Sequence, residues 1–593
     1  MKFKHNFPSP EIRFKGIPVS RGIARGPVFV RGGVFEEPDT YDIEDSAVED
    51  ELARFEQGLI RTREQIRALQ QSISHDVGSA DASIFDAHLL VLEDRSVLDE
   101  VVRSLRADKV NIESIFYRIM NRYMDSLRKI DDPYLRERVV DIEDVTKRVV
   151  GNLTNTGTSP AAADRTAHTE HVLLAHDLTP SDTASMDRTL VRGFATEVGS
   201  YTSHTAIIAR SLNVPAVVGL QNITQNLHTG QEILLDGYNG LVILDPTEAT
   251  IAEYEELQLE QEKIAAQLDE LTDEPCQTTD GRLITLSANI EFEHEAALVK
   301  TKGARGVGLY RTEFLYLNSP HLPSEIEQAK VYTRIVKEIS PDSVIFRTMD
   351  IGGDKMPAEL RGIEEQNPFL GWRGIRVSLE RPDVFKTQLR AILRASAFGG
   401  VGVMFPLVSS VDEVRRAKVL VREAKAELAA DGVPFDDSIE IGAMIEVPSA
   451  AITADQIAGE VDFFSIGSND LIQYTIAVDR VNERVANLYQ PAHPAILRLL
   501  RQVIDAAHNG EIWVGICGEI AGEIALIPLL VGLGVDELSV GPFQVPLVKR
   551  AIRSLSTTTC EELAQEVLTM SDTEQIFARC QAVAKAHYPE LCL

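Results

Sequence analysis

Apolar and polar positions along this chain follow two different periods, and the switches between them mark out its regions. Residues 1 to about 35 are rich in Gly and β-branched residues, as in Gly16–Ala24, a pattern that predicts short strands joined by turns. Similar alternation resumes near His171–Leu174 and continues to Leu241–Leu244. Between them, over roughly residues 36–150, apolar residues recur at helical spacing, as in Ile84, Phe85, His88, Leu89, Val91 and Leu92, with almost no Gly or Pro inside the runs. The expected arrangement is a small α/β domain, residues 1–35 and 151–246, with a helical bundle, residues 36–150, inserted into it.

Between Pro246 and Pro275 the composition turns to Glu, Gln, Leu and Ala, as in Glu253–Glu262. That composition favours helix, yet the apolar stripe is thin, as expected of a solvent-exposed helix bridging two domains. Residues 247–275 are therefore read as a linker helix. From 276 to 593 the pattern becomes apolar strand-like runs separated by helical stretches. The expected strands are Leu283–Ile290, Gly306–Tyr310, Val344–Met349, Val401–Phe405, Ile441–Val447, Phe463–Ile466, Ile512–Ile516 and Val535–Val540. Eight such runs point to a (β/α)8 barrel, with a doubly wound open sheet as the alternative. The stretch after Val540 reads as helical.

At 593 residues the chain is too long for one core. Its formal charge of −31 argues against non-specific nucleic-acid binding and favours a basic protein partner or none. Residues 36–150 carry 27 acidic and 16 basic side chains, either a solvated face or a surface that steers a basic partner. No signal-peptide core and no run of about eighteen apolar residues is present, so a cytoplasmic protein without a membrane span is expected. The five cysteines, Cys276, Cys517, Cys560, Cys580 and Cys592, lack Cys-x-x-Cys spacing, which fits a reducing compartment and gives no structural zinc site.

Two sets of residues carry candidate chemistry. The first is Thr202-Ser203-His204-Thr205, followed at once by the helical run Ala206–Leu212. A helix opening there would aim unpaired N–H groups at an anion, and a neutral imidazole could carry a phosphoryl group; a plain helix cap is the competing reading. The second set falls at the C-terminal ends of the expected barrel strands, where such barrels build active sites. Arg311, Arg347 and Arg480 offer planar forks for phosphate or carboxylate oxygens, and Asn469 a neutral contact. Glu446 and Asp470 are hard oxygen ligands suited to Mg²⁺. Cys517 is either a proton donor to a carbon centre or a buried small hydrophobe. Lys355 either adds positive charge at the mouth or is an ordinary loop lysine. No Gly-x-x-x-x-Gly-Lys-[Ser/Thr] spacing occurs, and His294–Ala297 does not continue to a second His, so ATP and zinc-protease readings have no visible site.

With both sets in hand, the chain resembles the phosphoenolpyruvate–protein phosphotransferase family, the Enzyme I proteins of bacterial sugar phosphotransferase systems. The matching stretches are Asp177–Ala184, Thr202–Thr205, Gly308–Leu315, Arg347–Lys355, Asn367–Arg373, Met444–Ser449, Ser465–Leu471 and Cys517–Glu519, in family order and over nearly the whole chain. The resemblance implies that His204 carries the phosphoryl group, that Arg311, Arg347, Asn469, Asp470 and Arg480 line the phosphoenolpyruvate site, that Glu446 and Asp470 hold Mg²⁺, and that Cys517 protonates the enolate to give pyruvate. It further implies transfer from His204 to the small carrier HPr, docked on the acidic helical insert, and a homodimer formed through the barrel domain. The lack of a preceding sensory domain leans toward sugar uptake. Two residues depart from the family pattern: Glu197 stands where Asp is usual, and Ser200 where Gly is usual. Pyruvate phosphate dikinase and phosphoenolpyruvate synthase share the logic but need a nucleotide-binding domain with no room here. A pyruvate lyase would leave His204 unexplained, and a regulatory scaffold would leave the substrate and metal residues without a purpose.

Overall fold

The computed structural model describes residues 11–592 except 21, 32–37, 77–83, 129–132, 155–168, 177, 179–189, 200–213, 221–222, 224–226, 228–229, 318–320, 353–364, 366, 481, 483–484 and 486–487. His204 with its neighbours Thr202, Ser203 and Thr205, the departure at Ser200, and Lys355 lie outside the described residues. The chain divides into two compact units, Met1–Glu260 and Gln261–Leu593.

The first unit is built on an eight-stranded mixed sheet. Its strands are β1 (Ile12–Lys15), β2 (Ile17–Ser20), β3 (Ile23–Arg31), β4 (His171–Ala175), β5 (Val191–Thr196), β6 (Ala216–Val218), β7 (Glu232–Asp236) and β8 (Leu241–Leu244), in the order β1-β8-β7-β3-β4-β5-β6-β2. β3, β4, β5 and β6 run parallel, while β7 and β8 form an antiparallel flank. Side chains alternate across a strand, so β4 serves two cores: Val172 and Leu174 pack with Val28, Val217 and Leu235, whereas Leu173 and Ala175 pack with Val19, Phe194 and Val218. A strand buried on both faces reads as a continuous apolar run, which is what residues 172–175 show.

Between β3 and β4 the described residues include the helices α1 (Val48–Asp76), α2 (Ile84–Leu92), α3 (Arg95–Asp108), α4 (Ile112–Arg128) and α5 (Pro133–Leu153). Their apolar stripes meet in one core that includes Phe55, Phe85, Leu105, Phe116, Ile119, Val145 and Val149, each fully buried large side chain adding about 1.5–3 kcal/mol. His88, the polar member of the apolar stripe on α2, is buried beside two carboxylates of α5, Asp141 at 3.3 Å and Asp144 at 3.8 Å. After β8 follows α6 (Glu248–Glu270). Its first turns are fastened to the sheet: Tyr254 is buried against Leu234 and Ile243 and donates its hydroxyl to Asp236 at 3.0 Å.

The second unit is a closed barrel of eight parallel strands, β9 (Thr285–Ile290), β10 (Val307–Arg311), β11 (Val344–Arg347), β12 (Val401–Phe405), β13 (Glu440–Ile445), β14 (Phe463–Ile466), β15 (Trp513–Ile516) and β16 (Glu537–Val540). β16 pairs with β9 to close the ring, which settles the choice between barrel and open sheet. The (β/α)8 barrel is thus the observed fold. The helices Val545–Arg553, Thr557–Val567 and Thr573–His587 complete the chain and share the barrel's apolar core through Val548, Leu563 and Ala584. Lys549 is buried there and donates to the carbonyls of Leu271 (3.2 Å), Thr272 (2.7 Å) and Gly303 (2.8 Å), which fastens the segment just after α6 to the barrel. No helix among the described residues is long and apolar enough to cross a membrane.

Candidate active site

Parallel strands end at one rim, so residues that follow different strands meet there. Arg311 and Arg347 close β10 and β11 and are directly opposed in the ladder. Glu446 follows β13, and Asn469 and Asp470 lie in the first turn of the helix Ser468–Ile476 that follows β14. Cys517 follows β15 and donates its backbone N–H to Ile466 at 3.2 Å. Arg311, Arg347, Glu446, Asn469, Asp470, Arg480 and Cys517 all line one cavity of about 690 Å³. The barrel residues read from the sequence therefore come together on a single mouth.

Local backbone choices make the convergence possible. A Cβ on Gly467 would come within 2.6 Å of Glu446 Oε2, and one on Gly518 would fall onto Ser468 Oγ, so both positions depend on the missing side chain. Leu407 adopts φ +54°, a costly conformation for a residue with a Cβ, and donates its N–H to Glu446 Oε1 at 2.6 Å. The strained turn thus aims a donor at a buried carboxylate.

Charge is laid out as a lattice of opposed groups. Arg347 pairs with Glu313 at 3.1 Å and Asp350 at 3.3 Å. Burial alone would lower its pKa, but Glu313, Asp350 and Glu446 more than offset that and hold it above the usual arginine value. Its buried Nε has no hydrogen-bond partner among the described residues, the kind of donor that a bound anion satisfies. Arg373 donates from Nε and Nη2 to the two oxygens of Asp350, both at 2.8 Å, and from Nη2 to Asp470 at 3.0 Å. Burial works to raise the Asp350 pKa, yet Arg347 and Arg373 prevail and keep it below the ordinary carboxylate value.

Toward the rim the arginines are also engaged. Arg311 pairs with Glu291, and Arg480 with Glu519 at 2.7 Å. Asn469 donates to Glu519 at 3.1 Å. Glu291, Glu313, Asp350, Arg373 and Glu519 carried no role in the sequence reading. All of them except Glu291 lay inside motifs singled out there, and the signal that would have marked the acids is charge complementarity: buried arginines at strand ends require buried acids beside them.

The two remaining groups have displaced acidities. Glu446 is 2% exposed, and its carboxyl is pushed up to about 8, first by burial and then by the facing carboxylates of Asp470 and Asp350, against the pull of Arg347 and Arg373. Cys517 is pushed up to about 11, chiefly by burial, with the Ser465 hydroxyl opposing and Glu446 adding to it. Among the described residues no three His, Cys, Asp or Glu side chains form a ready-made metal cage. Asp470 is instead tied to Arg373. Glu446 with Asp470 still fits a divalent cation, because two hard carboxylates commonly hold such an ion with substrate oxygens completing its shell. Burial is the larger cause of the raised Glu446 pKa, and a cation would relieve the part that comes from the facing carboxylates.

A closed barrel with a mouth lined by arginines and acids, in a chain that also carries a mixed-sheet unit with a helical insert, defines a class that sequence comparison identifies. Three family models match in succession: PEP-utilising enzyme, N-terminal, over residues 15–138; PEP-utilising enzyme, mobile domain, over 167–240; and PEP-utilising enzyme, PEP-binding domain, over 265–557. A phosphoenolpyruvate-protein phosphotransferase of Bacillus subtilis (strain 168) is 43% identical over 95% of this chain and 98% of its own length. The protein of that name from Listeria monocytogenes serovar 1/2a is 43% identical over 95% of this chain and 97% of its own. That from Staphylococcus carnosus is 41% identical over 95% and 98%. The chain belongs to the phosphoenolpyruvate-protein phosphotransferase family and is an enzyme.

Proposed function

We propose that this chain transfers the phosphoryl group of phosphoenolpyruvate to its own His204 and then to a histidine of the carrier protein HPr, releasing pyruvate, as the first step of a phosphotransferase system for sugar uptake. The observation that carries the reading is the single barrel mouth where four arginines, an asparagine, five carboxylates and a buried thiol line one cavity. Such a set suits a small, multiply anionic substrate.

Arg311, Arg347, Arg480 and Asn469 bind phosphoenolpyruvate, their donors matching phosphate and carboxylate oxygens. Glu446 and Asp470 hold Mg²⁺, which when bound offsets charge on the transferring phosphoryl group and the leaving enolate oxygen. A neutral imidazole nitrogen of His204 attacks phosphorus in line. The N–P bond forms as the bond from phosphorus to the enol oxygen breaks, and that electron pair stays on the enolate. Cys517 then gives its proton to the terminal carbon, yielding pyruvate, and the thiolate regains a proton from solvent. A thiol pushed up to about 11 stays protonated at neutral pH, as a general acid must.

Phospho-His204 next transfers its group to HPr, the N–P bond breaking as a new one forms on the carrier's histidine. The acidic helical segment, residues 36–150, supplies the docking surface for HPr. Residues 1–35 and 151–246 form the carrier domain, which alternates between the barrel mouth and HPr, joined through the linker, residues 247–275. The barrel domain, residues 276–593, binds substrate and forms a homodimer, and the enzyme works in the cytoplasm.

Labelled phosphoenolpyruvate mixed with the purified protein tests this reading. Acid-labile label on His204 with release of pyruvate is expected, and His204→Ala abolishes labelling from phosphoenolpyruvate and from phospho-HPr alike. Binding of phosphoenolpyruvate without transfer overturns the reading.

A further inference from the structure

Glu519 lies two residues beyond Cys517, and its side chain is 73% exposed at the rim. A single oxygen of its carboxylate, Oε1, accepts from both Asn469 Nδ2 at 3.1 Å and Arg480 Nη1 at 2.7 Å. One internal carboxylate therefore engages two of the four side chains assigned above to the substrate.

The main chain of Glu519 makes a different contact. Its N–H donates to Asn469 Oδ1 at 2.8 Å, which fixes the amide so that Nδ2 is the donor left over. That orientation does not depend on the side chain at 519. The backbone sets how Asn469 faces, and the carboxylate sets what Asn469 and Arg480 hold.

We infer that Glu519 is a positioning residue whose carboxylate occupies the place on Asn469 and Arg480 that the substrate's carboxylate takes, and that substrate binds by displacing it. The inference rests on the functional reading above. Exchanging one carboxylate for another keeps Arg480 paired and keeps both hydrogen bonds, so little electrostatic energy changes in the swap. A neutral ligand has no such exchange open to it: it would leave Arg480 without a counter-charge or Glu519 in place. Glu519 thus acts as an internal competitor that favours anionic ligands. An ion pair this exposed is weak, so the competition it exerts is modest and reversible.

Steady-state pyruvate release by the full-length protein with HPr provides the test, using Glu519→Ala and Glu519→Gln. The alanine variant removes the competing acceptor but keeps the backbone bond, so KM for phosphoenolpyruvate is expected to fall about three- to fivefold, with product inhibition by pyruvate tightening in parallel. The glutamine variant keeps a neutral oxygen acceptor and is expected to show a smaller fall. An unchanged or raised KM, or a loss confined to kcat, overturns the displacement and makes Glu519 a buttress. A lowered KM for phosphoenolpyruvate without tighter pyruvate inhibition overturns the assignment to the carboxylate. A wild-type protein that releases no pyruvate overturns the functional reading itself, which separates the two failures.

Discussion

Replacing Asp350 tests whether the mouth is held together by charge. Its side chain is 2% exposed, takes two bonds of 2.8 Å from Arg373 and lies 3.3 Å from Arg347. Asp350→Ala leaves two buried guanidinium groups facing each other with their shared acid gone. Removing one partner of a buried pair costs about 3–5 kcal/mol, because the remaining charge stays out of water. Asp350→Asn keeps an acceptor oxygen and is expected to cost about 1.5–3 kcal/mol, the range of a hydrogen bond to a charged group. Both tryptophans of the chain, Trp372 and Trp513, lie in the barrel unit, so tryptophan fluorescence during urea unfolding reports on that unit. The double variant Asp350→Ala, Arg373→Met should lose less than the two single losses added, since it removes one of the two guanidinium charges left without their shared acid. The pH dependence has a definite sign. The folded-state pKa of Asp350 is depressed, so its contribution is present above the ordinary Asp value of about 3.9 and fades as pH falls through the folded value. A loss under about 1 kcal/mol at pH 7, or single losses that simply add, would refute the claim that Asp350 is the keystone of the arginine lattice.

Cys517→Ala should lower pyruvate release from phosphoenolpyruvate by about 10²–10⁴-fold, the range of one general acid, while transfer between phospho-HPr and the protein is largely retained; equal pyruvate production by the variant removes that role. Glu446, raised to about 8, binds a proton more tightly folded than unfolded, so it subtracts stability progressively as pH rises from about 4.5 to 8. Thermal unfolding scans should therefore show Mg²⁺ stabilising the protein more at pH 8 than at pH 6, and Glu446→Gln should flatten the pH dependence and abolish the Mg²⁺ effect. Lys549→Met strands three carbonyls and is expected to cost about 3 kcal/mol in urea unfolding. Faster hydrogen exchange at residues 271–273 in that variant would confirm that the lysine fastens this segment.

Hydrophobic period was enough to read the barrel, and its limits are visible strand by strand. Val401–Phe405 and Phe463–Ile466 agree residue for residue with β12 and β14. Ile512 and Val535 looked like the starts of β15 and β16, but their N–H groups bond back to Ala507 and Leu530 and close the preceding helices instead. Apolarity marks burial and cannot tell which ladder a backbone donor serves. The same limit applies to His88, whose partners Asp141 and Asp144 sit on another helix more than fifty residues away. In the site, Arg311 and Arg347 were legible because planar cations at successive strand ends are unusual. Their acidic partners were not, since carboxylates are common in any acidic chain and only register reveals that Glu313 and Asp350 flank Arg347. The loops that carry Arg373 and Glu519 have no period at all.

The turn after β15 has a consequence for anyone who would retune this enzyme. Because Gly518 lies flush against Ser468, and the amide of Glu519 grips Asn469, the tips of β14 and β15 form one welded corner. The thiol and the asparagine cannot be shifted independently: a mutation that widens the pocket for a bulkier acid will also misalign the sulfur, and selection for one trait will drag the other with it.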